Sequence, residues 1–279
     1  MLILKWQIAF LWLAVAAYAL SGVAFVISAA FRRGRWVRPA VLLTWLGLLP
    51  HSAALALRWL QAGHGPYMYR YEVYSSDAWV AVFLFLIIQR WRPALRVLGL
   101  LVMPASFLLI GMAVLASPEV RPLPATFKTY WLIVHIFFAK LAYGSALIGT
   151  ALAVLYLLKR RRETAGRADG FYERLPSLET LDELSYAFLG FSFVMIGTMI
   201  LAGSIWAKNA WGRYWGWDAV ETWSLVSWLV YGLYLHLRRT YGWKGEGAAY
   251  AAVAAMATLL FALFGVGVFF ESFHSPYVR

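Results

Sequence analysis

Apolar runs of about 20 residues recur along this chain, separated by short polar connections, and that pattern leaves few folds open. Each run matches the hydrocarbon thickness of a bilayer. Eight spans can be drawn, at about 6–31, 39–60, 77–89, 97–116, 127–158, 185–206, 220–237 and 247–270, the third being short. The chain is 62% hydrophobic and only 14% charged, where a soluble domain carries about 25% charged residues. The reading is an all-α polytopic membrane helix bundle of about eight transmembrane helices, a single integral domain over residues 1–279.

A net charge of +12 would suggest nucleic acid for a soluble protein. Here the basic residues fall between the apolar runs, so they report topology and nucleic acid is not expected. Arg32, Arg33, Arg35 and Arg38 lie in one connection, and Arg90, Arg92 and Arg96 in another. "KRRRETAGR" begins a third, and Arg238, Arg239 and Lys244 mark a fourth. These alternate connections are expected in the cytoplasm, which puts both termini on the outer side. Residues 159–183 read as a cytoplasmic basic linker ending in a short amphipathic piece at the membrane surface. The first apolar run lacks a basic leader and a small-residue cleavage site, so it reads as a helix and not as a cleaved signal. The sequence holds no cysteine, which excludes disulfides, thiolate metal ligands and a cysteine nucleophile of its own.

Histidine is costly in or near a membrane span and is therefore a functional candidate there. Five occur: His51, His64, His135, His236 and His274. Span five exceeds what a bilayer needs, and Lys159 to Arg162 mark its inner end. Counting back about 20 residues at 1.5 Å each places the outer boundary near Lys140, with His135 just above it. The same count along span eight puts His274 a few residues beyond the outer boundary. Two such imidazoles can supply both axial ligands to one metal centre, or can be interfacial histidines that never meet. His236 lies near the inner end of span seven, where it can bind a cofactor or cap the helix dipole. His51 follows Pro50 inside span two, and His64 sits in the loop "QAGHGPY", where by itself it reads as solvated.

Between His135 and His274 in sequence lies "WAKNAWGRYWGWD", residues 206–218, read as an outer tryptophan-rich loop. Interfacial belts are rich in tryptophan and tyrosine, yet belts need no glycines. In this loop Gly212 and Gly216 alternate with Trp211, Trp215 and Trp217, beside Trp206 and Tyr214. Glycine permits close backbone approach and indole offers a flat apolar surface, so the pattern suits a large planar guest. Asp218 and Glu221 have capping-box spacing at the start of span seven. Lys128, Lys208 and Arg213 can meet carboxylates of a guest or the phosphates of membrane lipids.

The stretch "WGRYWGWDAVETWSLVSWLVYGLYLH" resembles the tryptophan-rich (WWD) signature of the heme-handling membrane proteins of cytochrome c assembly, the family comprising CcsA, CcmC and CcmF. Length and span number are most similar to its CcsA (ResC) branch, the smaller component of the System II synthase. "LRWLQAGHGPYMYRYE", "VHIFFAKLAYGSA" and "ESFHSPYVR" extend the resemblance over nearly the whole chain, the first giving Arg58, His64 and Glu72 counterparts. Ala219 and Val220 depart from the usual Pro-Lys, Phe273 replaces a leucine, and Pro276 interrupts the usual Ser-Tyr.

The resemblance implies a transported heme b. His135 and His274 would be outer axial ligands and His236 a transmembrane ligand. Trp206, Trp211, Gly212, Tyr214, Trp215, Gly216, Trp217 and Asp218 would bind the cofactor. His51 is a further transmembrane candidate, although in fused relatives that role looks to belong to the CcsB portion. It also implies a CcsB-like membrane partner, an apocytochrome c substrate whose CxxCH thiols form the thioethers, and no catalytic nucleophile from this chain. The chain would be a subunit of a holocytochrome c synthase, in a bacterial cytoplasmic or a thylakoid membrane, with its site on the outer side. A heme carrier resembling CcmC, without ligation activity, and a cytochrome b-type electron carrier are the alternatives.

Overall fold

A computed structural model of the chain describes residues 2–31, 33–120, 123–167 and 170–270. Among these residues the structure is helical, with no strand. The long helices are α1 (Leu2–Ala30), α2 (Val37–Ala62), α3 (Arg70–Trp91), α4 (Gly99–Leu115), α5 (Tyr130–Thr164), α6 (Leu178–Trp211), α7 (Ala219–Thr240) and α8 (Glu246–Phe269). Among the described residues seven segments are long and apolar enough to cross a membrane, and α7 is not one of them. Its sequence mixes tryptophan, tyrosine and serine with Glu221 and His236, residues that lower hydropathy without opposing a helix. Within α8 a π-turn at Phe261–Gly265 lets the Val266 N–H reach back five residues to the Phe261 carbonyl.

Three boundaries differ from the sequence reading. The short third span, expected at 77–89, is a full helix beginning at Arg70. Its first turns are polar because they hold Glu72, Ser75 and Ser76, all buried, so hydropathy mistakes them for a loop. The linker expected over 159–183 is helical at both ends, since α5 continues to Thr164 and α6 starts at Leu178. The amphipathic piece is therefore the first turn of α6, capped where the Thr180 N–H donates to Ser177 Oγ at 3.1 Å. The segment expected as a loop over 206–218 is helical as far as Trp211.

The fold divides into two compact units, residues 1–122 with 161–176, and residues 123–160 with 177–279. In the first, α1 and α2 are joined by small and polar contacts. Ser21 Oγ donates to the Ala40 carbonyl at 2.9 Å and meets Thr44 Oγ1 at 2.8 Å. Gly47 lies under the Tyr18 ring, where a Cβ would stand 2.7 Å from Tyr18 Cδ1. Lipid gives helices no hydrophobic reason to associate, so close packing and interhelical hydrogen bonds of this kind hold them together. One end of this unit carries a buried ion pair, Arg58 Nε to Glu72 Oε1 at 2.8 Å. The Arg58 guanidinium also donates to the Pro118 and Glu119 carbonyls at 2.6 and 3.1 Å, tying a connecting segment to α2 and α3.

In the second unit α5 and α6 run antiparallel, joined by a ladder of polar rungs. Ser185 Oγ donates to the Gly149 carbonyl at 2.8 Å, Ser192 Oγ donates to the Ala142 carbonyl at 2.9 Å, and His135 Nδ1 bonds the Met199 carbonyl at 2.8 Å. Each step advances seven residues on both helices, the 3.5-residue periodicity of left-handed helix pairs. Gly149 keeps its end of the seam tight, because a Cβ there would stand 2.9 Å from Leu189 Cγ. Away from the tryptophan segment, Arg238 binds both carboxylate oxygens of Asp182 at 2.7 and 2.8 Å, and the Gly245 N–H donates to the same carboxylate at 3.2 Å. That cluster joins α6, α7 and the start of α8.

Candidate functional site

The tryptophan segment spans the junction between α6 and α7 in the second unit. Trp206 is buried, 3% exposed, and sits among aromatic neighbours. Its ring lies 5.1 Å from Phe127, 4.9 Å from Trp211 and 6.1 Å from the His135 imidazole. Trp206 thus packs beside the His135 imidazole as well as against Phe127 and Trp211.

The Met199 carbonyl fixes the tautomer that a neutral His135 adopts. A carbonyl only accepts, so Nδ1 carries the proton and the lone pair of the neutral ring resides on Nε2. Metal-ligating histidines are commonly oriented in this way through their second nitrogen. Gly203 makes the approach possible, since a Cβ there would stand 2.7 Å from Nδ1. The helix register therefore delivers an oriented nitrogen donor beside a tryptophan wall.

Helix α6 ends at Gly212, which takes the left-handed conformation with φ 79°, and Lys208 Nζ closes the turn onto the Gly212 carbonyl at 2.8 Å. The chain then turns through Arg213, Tyr214, Trp215, Gly216 and Trp217. The Arg213 guanidinium lies against Gly216, in the space a Cβ would occupy. Trp215 and Trp217 stand perpendicular, 5.7 Å apart at 88°. Trp217 is 72% exposed and has a φ of 56°. A bulky residue held at positive φ stores about 1–3 kcal/mol of strain and persists only where its surroundings enforce it. Glu221 supplies the enforcement: its Oε2 accepts from the Gly216 N–H at 2.8 Å and the Asp218 N–H at 3.2 Å. Asp218, itself buried, is the N-cap of α7 and completes a reciprocal capping box with Glu221.

The other described histidines lie on other elements. His236 is near the far end of α7, 18 residues from Asp218, roughly 27 Å along the helix. Its side chain is exposed and its Nδ1 lies 3.3 Å from Thr240 Oγ1. His51 has both ring nitrogens engaged, Nδ1 with Tyr18 Oη and Nε2 with Ser75 Oγ, each at 3.1 Å. Those bonds make it a satisfied core histidine, and metal binding would break one of them. His64, read as solvated, is instead buried at 7% exposure, in a loop tied to α3 where the Met68 N–H donates to Glu72 Oε2 at 2.8 Å. Its Nδ1 lies 2.8 Å from the Gly65 carbonyl and 4.0 Å from Glu72 Oε2. His274 lies outside the described residues. Among the described residues no three His, Asp or Glu side chains converge as a metal cluster.

The model of the cytochrome C assembly protein family matches residues 70–274, which include the whole tryptophan segment and α5 to α8. The chain belongs to the cytochrome c assembly family. Its relatives include the "Cytochrome c biogenesis protein CcsA" of Chlamydomonas reinhardtii, 35% identical over 229 residues. That match covers 79% of this chain and 63% of the relative, so the chain spans under two thirds of that protein's length. The protein of the same name from Synechococcus sp. (strain CC9902) is 32% identical over 265 residues, covering 85% of this chain and 87% of the relative. Among solved structures, "Cytochrome c Heme Lyase CcmF" aligns with a TM-score of 0.74 over 99% of this chain and 48% of its own, at 18% identity. At that identity the likeness concerns the fold. Apolar helices and membership of this assembly family together make the chain an integral membrane protein.

Proposed function

We propose that this protein serves cytochrome c biogenesis by presenting heme b at the tryptophan segment, on the outer side of the membrane, for thioether attachment to an apocytochrome c. One observation carries the reading: His135, its Nδ1 fixed by the Met199 carbonyl, directs donor character to Nε2 beside the indoles of Trp206 and Trp211. A nitrogen donor, flat apolar rings and nearby cations form the set a porphyrin with two carboxylates requires. His135 and His274 would hold the heme iron in this reading, and Trp215, Trp217, Tyr214, Gly212 and Gly216 would form the shelf. Lys208, Arg213 and Lys128 carry the charge that meets the propionates.

Heme supplies the vinyl groups across which the two thiols of a CxxCH segment add. This chain's residues bind, orient and exclude water. Met199 holds the His135 ring, Gly212 leaves its backbone open to close approach, Gly216 makes room for the Arg213 guanidinium, and Asp218 with Glu221 anchors the shelf to α7. The exposed position of His236 suits a transmembrane site completed from outside this chain, as a CcsB-like partner would do. His51, with both nitrogens engaged, does not favour the electron-carrier alternative.

The test is to purify the chain with and without a CcsB-like partner and record heme content and the absorbance spectrum. His135→Ala and His274→Ala are each expected to lower outer-site heme and convert its spectrum from bis-histidine ligation to a form rescued by added imidazole. Unchanged heme and unchanged ligation in both variants would refute the outer site.

A further inference from the structure

We propose that Glu221 is a positioning residue for heme binding, acting through Trp217 and not only as a helix cap; this rests on the heme-presenting reading above. Capping alone needs one bond from Glu221, to the Asp218 N–H, and that bond is present at 3.2 Å. The shorter bond reaches further, to the Gly216 N–H at 2.8 Å, on the other side of Trp217. One carboxylate oxygen thus accepts from the N–H groups of the two residues on either side of a tryptophan held at φ 56°. The ring so held is among the most exposed large side chains in the fold, at 72%, and is braced edge-on by Trp215 at 5.7 Å.

A left-handed bulky residue is not kept for helix capping, which any ordinary turn would allow. The turn gains from it only the direction of the indole. Released from Glu221, Trp217 would relax to negative φ and its ring would swing away from the direction it now faces. Preset aromatic surfaces bind better because the ring is ordered before the guest arrives. Glu221 does not touch the guest in this account; Trp217 does.

The experiment is a coupled set of variants of the full chain, read by heme titration, ligation spectrum and Tm. Trp217→Ala is expected to lower heme affinity on the order of tenfold, the scale of one lost stacking surface. Glu221→Ala should lower it by a similar factor while the remaining heme keeps its axial ligation. The double variant should lose no more than either single one, because both remove the same held ring. Glu221→Gln retains an acceptor oxygen and should recover most of the affinity; it also supplies the readout if Glu221→Ala fails to fold. A Glu221→Ala protein with lower Tm and unchanged heme affinity, or losses that multiply in the double variant, would overturn the positioning role. Unchanged affinity in Trp217→Ala beside a loss in His135→Ala would instead strike at the tryptophan shelf itself.

Discussion

Gly203 shows how a single residue separates stability from function. In most helix positions replacing glycine by alanine favours the helix, by roughly 1 kcal/mol. Here the new methyl would stand 2.7 Å from His135 Nδ1 and displace the imidazole from the Met199 carbonyl. Gly203→Ala is therefore expected to leave Tm unchanged or higher while weakening heme binding and altering its ligation spectrum, both measurable on one purified sample. Arg58 and Glu72 behave in the opposite way. Removing either partner strands a buried charge, a loss of about 3–5 kcal/mol, and Arg58 also releases the Pro118 and Glu119 carbonyls. Arg58→Ala and Glu72→Ala should each sharply lower Tm, whereas Arg58→Met with Glu72→Met should cost less than either. A double variant worse than both single ones would contradict a purely paired role.

Helices differ in how much of them hydropathy reveals. Spans such as α1, α4 and α5 are visible as apolar runs, and His135 stood out because α5 is longer than a bilayer requires. The start of α3 was hidden, since its buried Glu72, Ser75 and Ser76 resemble a loop until Arg58 is found beside them. The α5–α6 ladder was less visible, because two of its three rungs are serines on glycine and alanine carbonyls, which carry no hydropathy signal. The capping role of Asp218 and Glu221 was readable from spacing alone. The left-handed Trp217 was not, as no sequence rule places a bulky residue at positive φ. The ladder also makes a graded prediction. Ser192→Ala removes one interhelical bond, worth about 0.6 kcal/mol in membranes, and should barely change heme ligation. Ser192→Leu wedges the seam apart and should disturb the His135 rung seven residues along, seen as lost bis-histidine absorbance.

At the scale of the whole molecule, orientation is open to direct measurement because the sequence contains no cysteine. Asn209→Cys, within the tryptophan segment, should react with an impermeant maleimide on intact cells, and Ala165→Cys, within the basic connection, only after permeabilisation. The reverse pattern would invert the proposed topology. The two compact units carry one more consequence. The exposed turn at Gly166 follows α5, whose membrane portion belongs to the second unit although it precedes the turn in sequence. Cutting there does not part the units. Residues 1–166 would carry α5, residues 167–279 would carry α6, and the three rungs between them cross no peptide bond that has been cut. The two fragments, made as separate polypeptides in one cell, should find each other and copurify through a tag on either, and Ser185→Leu with Ser192→Leu should leave the tagged piece alone. Covalent continuity at that turn is then a convenience of synthesis, and the assembled protein is held together by its seam.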